Sequence, residues 1–290
     1  MAQFPYSFGW LPDMPDFRDF SPQSSVIRPQ LETLKMANID TDDLPQRVDL
    51  RKWCSPIEDQ DRLGSCTAQA GTGLLEYFFY KKEGRFIDAS RLFLYKVTRN
   101  LMGQIGDGGA FLRDTIKAMV LFGVPPEKYY PYNIVFFDDE PSAYCYAFAQ
   151  NYKSIKYYRL DPPGTPRETL QSRIWTELAA ERPVMFGFTV YSSIGQANQT
   201  GKIPFPVRTE KVEGGHAVVA VGYDDKMVIK NEVDGSETTG AFLIRNSWGT
   251  SWGEQGYGWL PYEYVTRGLA VDWWTLIQAE WVDLDIFGLE

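Results

Sequence analysis

The run Gln60–Phe79, QDRLGSCTAQAGTGLLEYFF, decides how this chain folds. Apart from Leu63, its first six residues are polar or small and suit a loop. Ser65 can cap a helix that begins at Cys66, because its side chain can take up one of the free N–H groups there. Ala70, Leu74 and Phe78 recur at intervals of four, as do Gly71, Leu75 and Phe79. Together they form a broad apolar face, which predicts a helix buried in the core. Lys81 and Lys82 suit its C-terminal end and Gly84 stops it. A cysteine in the first turn lies beside unsatisfied backbone N–H groups carrying partial positive charge. Such a position lowers a thiol pKa from ~8.5 to between ~3.5 and ~7.5 in favourable cases. Taken alone, the same position also suits a small buried hydrophobe.

Outward from this helix the pattern divides the chain in three. Residues 1–47 carry Pro5, Pro12, Pro15, Pro22, Pro29 and Pro45, interleaved with Phe4, Tyr6, Phe8, Trp10, Phe17 and Phe20. The prolines forbid a long helix, and so many aromatics do not suit a solvated tail. An extended arm lying on the body of the protein is expected. Residues 48–153 read as helical, with further helices from near Ser90 and over about Ala110 to Phe122. Residues 154–290 read as strands: Val184–Val190, Ala217–Tyr223, Met227–Val233 and Ala241–Arg245. One helix interrupts them, with Thr165 as N-cap, Pro166 at its first position and Glu168 completing a capping box. Helices followed by strands indicate an α+β fold of two halves with a cleft between them.

His216 is the sole histidine of the chain. It follows Gly214-Gly215 and opens the apolar run Ala217–Tyr223, which places it at a strand end facing the cleft. A cysteine nucleophile needs a base that later protonates the leaving amine, and imidazole suits that task near neutral pH. The third segment is Asn246-Ser247-Trp248-Gly249, followed by Trp252-Gly253, where a tryptophan can shield a hydrogen bond made by the asparagine. Gln60 lies six residues before Cys66, in register with Gly64-Ser65-Cys66.

These segments together resemble the papain family of cysteine peptidases over about residues 47–270. Gly106-Asp107-Gly108-Gly109 looks like the family's glycine wall. Short bacterial members of the xylellain type, with a similar N-terminus, look nearest. The resemblance implies a helical left domain and an antiparallel, β-barrel-like right domain. It implies a thiolate–imidazolium pair between Cys66 and His216, with Asn246 orienting the ring under Trp248. Gln60 and the Cys66 N–H would stabilise the oxyanion. Gly108, Gly109, Ala110, Gly214, Gly215 and Trp248 would line the substrate site. The implied reaction is peptide-bond hydrolysis through an acyl-enzyme, by a cysteine endopeptidase. This chain departs from the pattern at Thr67, where the family has Trp or Tyr, and at Leu63, where it has a disulfide cysteine. The interval from His216 to Asn246 is longer than usual, by a polar hairpin around Asp224–Gly240. Residues 1–46 cannot form the family's longer helical pro-segment, so the arm is expected either to limit access to the cleft or to pack as an extra strand.

Composition narrows the alternatives. The net charge is −9 and the pI near 4.9, which disfavours nucleic acid and anionic membranes as partners. Cys54, Cys66 and Cys145 with one histidine form no zinc-finger spacing, so neither metal nor cofactor is expected. No signal-peptide pattern or membrane-spanning run is seen, and a monomeric cytoplasmic protein acting on peptides or proteins is the default. The rivals are a same-fold acyl transferase or transpeptidase, and an inactive binding homologue. The presence of all four catalytic residue types argues against the second.

Overall fold

The computed structural model describes residues 6–34 and 43–281. The arm comes first. It contains β1 (Trp10–Leu11) and α1 (Arg28–Thr33), and β2 (Arg47–Asp49) follows. The helical half is α2 (Cys66–Glu83), α3 (Arg91–Met102), a short β3 (Ala110–Phe111), α4 (Leu112–Leu121) and α5 (Ala143–Ala149). The second half holds β4 (Tyr152–Arg159), α6 (Arg167–Ala179), β5 (Val184–Tyr191), α7 (Ala197–Thr200), β6 (Val212–Lys230), β7 (Glu237–Arg245), β8 (Tyr257–Pro261), α8 (Glu263–Thr266) and β9 (Ala270–Trp281).

The helix α2 is the keel. Its small and apolar residues are buried nearly all round, and it packs on α3 and α4 on one side and on β5, β6 and β9 on the other. The left-handed Gly84 (φ 68°) ends it, and Lys81 and Lys82 occupy its last turn as expected. Ser65 sits at the N-cap without capping through its side chain. Its hydroxyl instead meets Tyr132 Oη at 2.7 Å. Ser90 does cap α3, accepting from the Phe93 N–H.

The sheet runs β4-β9-β5-β6-β7-β8, with antiparallel pairings throughout, and β2 joins it along β6. Among the described residues it does not close on itself. The barrel-like expectation is therefore corrected to an open sheet, while the α+β class stands. Val48 pairs with Tyr223, which ties the segment after the arm into this sheet. Other differences are local. The third helix begins at Leu112, because Ala110 and Phe111 are taken up in pairing with the arm. Thr165 turns its hydroxyl to the Pro162 carbonyl, so Pro166 becomes the N-cap of α6 and the capping box does not form. The separate strands Ala217–Tyr223 and Met227–Val233 are one strand, β6, with an irregularity between Asp224 and Val228. Beyond it, Lys230 pairs with Glu237, making the expected polar hairpin.

Candidate active site

Four predicted residues from three distant segments meet where α2 abuts β6. Cys66 opens α2, and its Sγ accepts from the backbone N–H of Ala217, the residue after His216. His216 Nε2 lies 2.8 Å from Asn246 Oδ1, so that ring nitrogen donates. Nδ1 is then the basic nitrogen. It is buried and has no hydrogen-bond partner among the described residues. Trp248 stacks on the imidazole at 4.5 Å between centroids and covers the His–Asn bond, while Trp252 buttresses Trp248 edge-on at 5.3 Å. Gln60 is fully buried. Its backbone N–H bonds the Ser247 carbonyl at 2.9 Å and its Oε1 accepts from Ser247 Oγ at 2.7 Å. That leaves the amide Nε2 to face the cleft as a donor.

The cleft is filled by the chain's own arm. Residues Tyr6–Leu11 run through it in extended form. Gln60 Nε2 donates to the Ser7 carbonyl at 3.1 Å, and the Gly9 N–H points at Cys66 Sγ. The Ala110 N–H donates to the Gly9 carbonyl at 2.7 Å, and β1 pairs in parallel with β3. Alternate side chains fill the walls. Tyr6 stacks on Trp248 at 4.4 Å, Phe8 lies against Gly214 and edge-on to His216, and Trp10 enters a recess floored by Gly187 and Gly215.

Comparison with known proteins gives this geometry its place. The model of the papain family cysteine proteases matches residues 44–269. The chain belongs to the papain family of cysteine proteases. A crystal structure of xylellain, a cysteine protease from Xylella fastidiosa, is similar at a TM-score of 0.72 and 34% identity, covering 95% of this chain and 98% of that one. A peptidase C1-like protein of Acanthamoeba polyphaga mimivirus is 34% identical over 93% of this chain and 86% of its own length. Human cathepsin L2 is 28% identical over 74% of this chain, and the match spans 60% of the cathepsin. The activity is that of a cysteine peptidase.

In this papain-family cleft burial governs the protonation of the reacting groups. Burial pushes the Cys66 thiol up to about 11 and the His216 imidazole down to about 4. Both shifts favour neutral forms, because a covered cleft has too little water to solvate charge. The N–H groups of Ala217, of Gly9 in the arm, and of Thr67 and Cys66 at the start of α2 pull the thiol the other way, as does the Asn246 bond for the imidazole.

A charged cluster fastens the far side of the arm. The Asp13 N–H donates to Asp272 Oδ2 at 2.7 Å, and Asp13 Oδ2 accepts from the Arg113 N–H at 3.1 Å. Asp19 pairs with Arg113 at 2.6 Å and with Arg159 at 3.5 Å. Arg159 also holds Asp272 at 2.6 Å and Asp161 at 2.9 Å. Asp272 adopts φ 59°, at a shift in the β5–β9 register that aims its carboxylate at the arm. Burial pushes the Asp13 and Asp272 carboxyls up, to about 6 and about 7; Asp114 adds to the rise at Asp13, and Asp13 and Asp161 to that at Asp272, against the pull of Arg113 and Arg159 on Asp13 and of Arg159 on Asp272.

Of the expected substrate-site residues, Gly109, Ala110, Gly214, Gly215 and Trp248 all touch the arm. At Gly108 an added Cβ would meet the Gln104 side chain, 3.3 Å away, and not the arm. The sequence reading missed Gly187 in the middle of β5, where a Cβ would overlap the Trp10 ring at 1.9 Å. It also did not assign Ser7, Gly9 and Trp10 to the site. The alternation of Tyr6, Phe8 and Trp10 at every second residue was the available signal for an extended, one-sided segment.

Proposed function

We propose that Cys66, His216, Asn246 and Gln60 carry out peptide hydrolysis, and that residues 6–11 hold the enzyme latent until the arm leaves the cleft. The observation that carries this reading is the arm's use of the reaction's own groups. Ser7 offers its carbonyl to Gln60, and Gly9 offers the sulfur an N–H where a substrate must bring a carbonyl carbon. With the arm displaced, water returns and both pKa values relax toward a thiolate–imidazolium pair. The thiolate then attacks the scissile carbonyl. The Gln60 amide and the Cys66 N–H bind the oxyanion, and a thioester forms as His216 protonates the leaving amine. Water, deprotonated by His216, hydrolyses the thioester. Asn246, holding Nε2, leaves Nδ1 as the ring nitrogen that takes up and gives back the proton.

The recess that takes Trp10 between Gly187 and Gly215 supports a preference for a large aromatic side chain in the substrate. Peptides and proteins are the substrates this cleft suits, and the chain acting as a monomer completes the reading. A cytoplasmic and bacterial setting is supported by the free thiols Cys54, Cys66 and Cys145 and by the likeness to xylellain. The test compares peptide turnover by the full chain and by a chain starting at Leu44, each with its Cys66→Ala partner. The shortened chain is expected to be faster and both Cys66→Ala forms inert. Equal rates refute the latency, and turnover without Cys66 refutes the mechanism.

A further inference from the structure

Asp107 takes no part in the reaction described above, yet its carboxylate lies where two walls of the cleft come together. Its Oδ1 and Oδ2 accept from the Gly64 N–H at 3.0 and 3.1 Å. Gly64 lies in the loop between Gln60 and Cys66, so this bond holds the segment that presents both oxyanion donors and the nucleophile. Oδ1 also accepts from Tyr95 Oη at 2.5 Å, and Tyr95 Oη in turn accepts from the Gly109 N–H at 3.2 Å. Gly109 and Ala110 form the backbone edge on the opposite side, where Ala110 donates to an extended chain. One side chain thus fixes the spacing between the nucleophile loop and the peptide-binding edge.

The anchor itself is rigid. Tyr95 is fully buried on α3, and the Arg99 guanidinium lies over its ring at 4.4 Å. Arg99 also donates to the Gly106 carbonyl at 2.6 Å and pairs with Asp138 at 2.8 Å, and Asp138 accepts from the Gly106 N–H at 3.2 Å. The loop bearing Asp107 is therefore clamped from below, and Asp107 transmits that fixed position to Gly64. A Cβ on Gly64 would lie 2.9 Å from Asp107 Oδ1 and would push that carboxylate off the Gly64 N–H. The body of Asp107 is solvent-exposed, so it supports no packing that would explain its place.

We infer that Asp107 is a positioning residue that sets the width of the substrate cleft, through Gly64 on one side and through Tyr95 to Gly109 on the other. It never touches the scissile bond. Its effect falls on substrates long enough to use both walls. Removing it lets the two walls drift apart, and a peptide that must reach the oxyanion donors and the Ala110 edge together loses alignment. A minimal ester, held only by the nucleophile loop, loses little.

This inference rests on the peptidase reading, and the experiment separates the two. The full-length chain carrying Gly9→Ala, in which the arm is displaced, is assayed on a peptide of six residues and on a single-residue amino-acid ester. Turnover by that parent tests the peptidase reading. Adding Asp107→Ala is expected to lower kcat/KM on the peptide about tenfold, mostly through KM, and on the ester less than twofold. Asp107→Asn, whose Oδ1 can accept both bonds, is expected to restore the peptide rate to within twofold. Equal losses on both substrates, or equal behaviour of the Ala and Asn variants, overturn the inference. Amide exchange in the otherwise unaltered full chain gives a readout that needs no turnover. Asp107→Ala is expected to speed exchange at Gly64 and Gly109 together, and unchanged exchange at Gly109 overturns it equally.

Discussion

Gly9 passes between two backbones, and a single methyl group there should release the arm. A Cβ built on Gly9 would lie 1.8 Å from the Gly64 carbonyl oxygen, 2.4 Å from its carbon and 2.7 Å from its Cα. On the other side, the Gly9 carbonyl already sits 2.3 Å from where a Gly109 Cβ would be. Neither neighbour is a side chain that can swing away, so relief requires the arm to shift by ~1.5 Å to reach ordinary van der Waals distance. A shift of that size breaks the Ala110–Gly9 bond at 2.7 Å and the Gln60–Ser7 bond at 3.1 Å, and removes the Gly9 N–H from Cys66. Three hydrogen bonds at ~1 kcal/mol net each amount to ~3 kcal/mol. At ~1.4 kcal/mol per decade, the closed-to-open ratio falls about 10²-fold. The assay is the initial rate on a fluorogenic peptide together with the rate of iodoacetamide alkylation at Cys66, with a thermal melt as the control for folding. Both rates should rise by up to about 10²-fold for Gly9→Ala. Rates within twofold of the parent, with an unchanged melt, would refute the view that the close approach at Gly9 keeps the cleft shut.

Three further outcomes are expected. His216→Ala should remove nearly all turnover of a shortened chain starting at Leu44, and Gln60→Ala should cost ~10²–10³ in kcat, as loss of an oxyanion donor does; activity retained in either variant counts against the assigned role. The Asp13–Asp272 cluster should make the latch pH-dependent. Carboxyls raised to about 6 and about 7 in the docked arm, from an ordinary 3.8, favour docking fully below pH 4 and lose that contribution as pH rises through 6 and 7. For Asp13 alone the shift of about two units corresponds to ~3 kcal/mol. The advantage of the shortened over the full chain should therefore shrink from pH 5 to pH 8, with Asp13→Asn flattening the trend, and a widening advantage would reverse the assignment. Finally, Gly187→Val should fill the recess that now holds the Trp10 ring. In the shortened chain it should lower kcat/KM for peptides with a large aromatic side chain at least tenfold relative to peptides with a small one, and an unchanged ratio would remove Gly187 from the specificity site.

The sequence was most informative where local chemistry and long-range role coincide. The helix of Cys66 was legible because its apolar residues repeat at the helical period and glycine ends it. His216 was legible from the glycines before it and the apolar run after it, although it lies inside β6, paired with Phe188, and not at the strand end that was expected, and Asn246 was legible from the tryptophans that follow it. Capping was less legible. Ser65 and Thr165 both have the residue type of an N-cap, but competing partners, Tyr132 and the Pro162 carbonyl, take their hydroxyls. A side-chain oxygen chooses among neighbours that only the folded chain supplies.

The arm marks the boundary between the two kinds of knowledge. Prolines and alternating aromatics determined that residues 6–11 would be extended and would seek an apolar surface. Which surface they covered was decided by tertiary structure. The recess for Trp10 arises from Gly187 and Gly215 on two different strands, and the passage for Gly9 from Gly64 and Gly109 on two different loops. The protonation of Cys66 and His216 belongs to the same category. Sequence named the two groups, but their charge depends on whether water reaches them, and the fold controls that access through a segment some sixty residues away from the thiol in the chain.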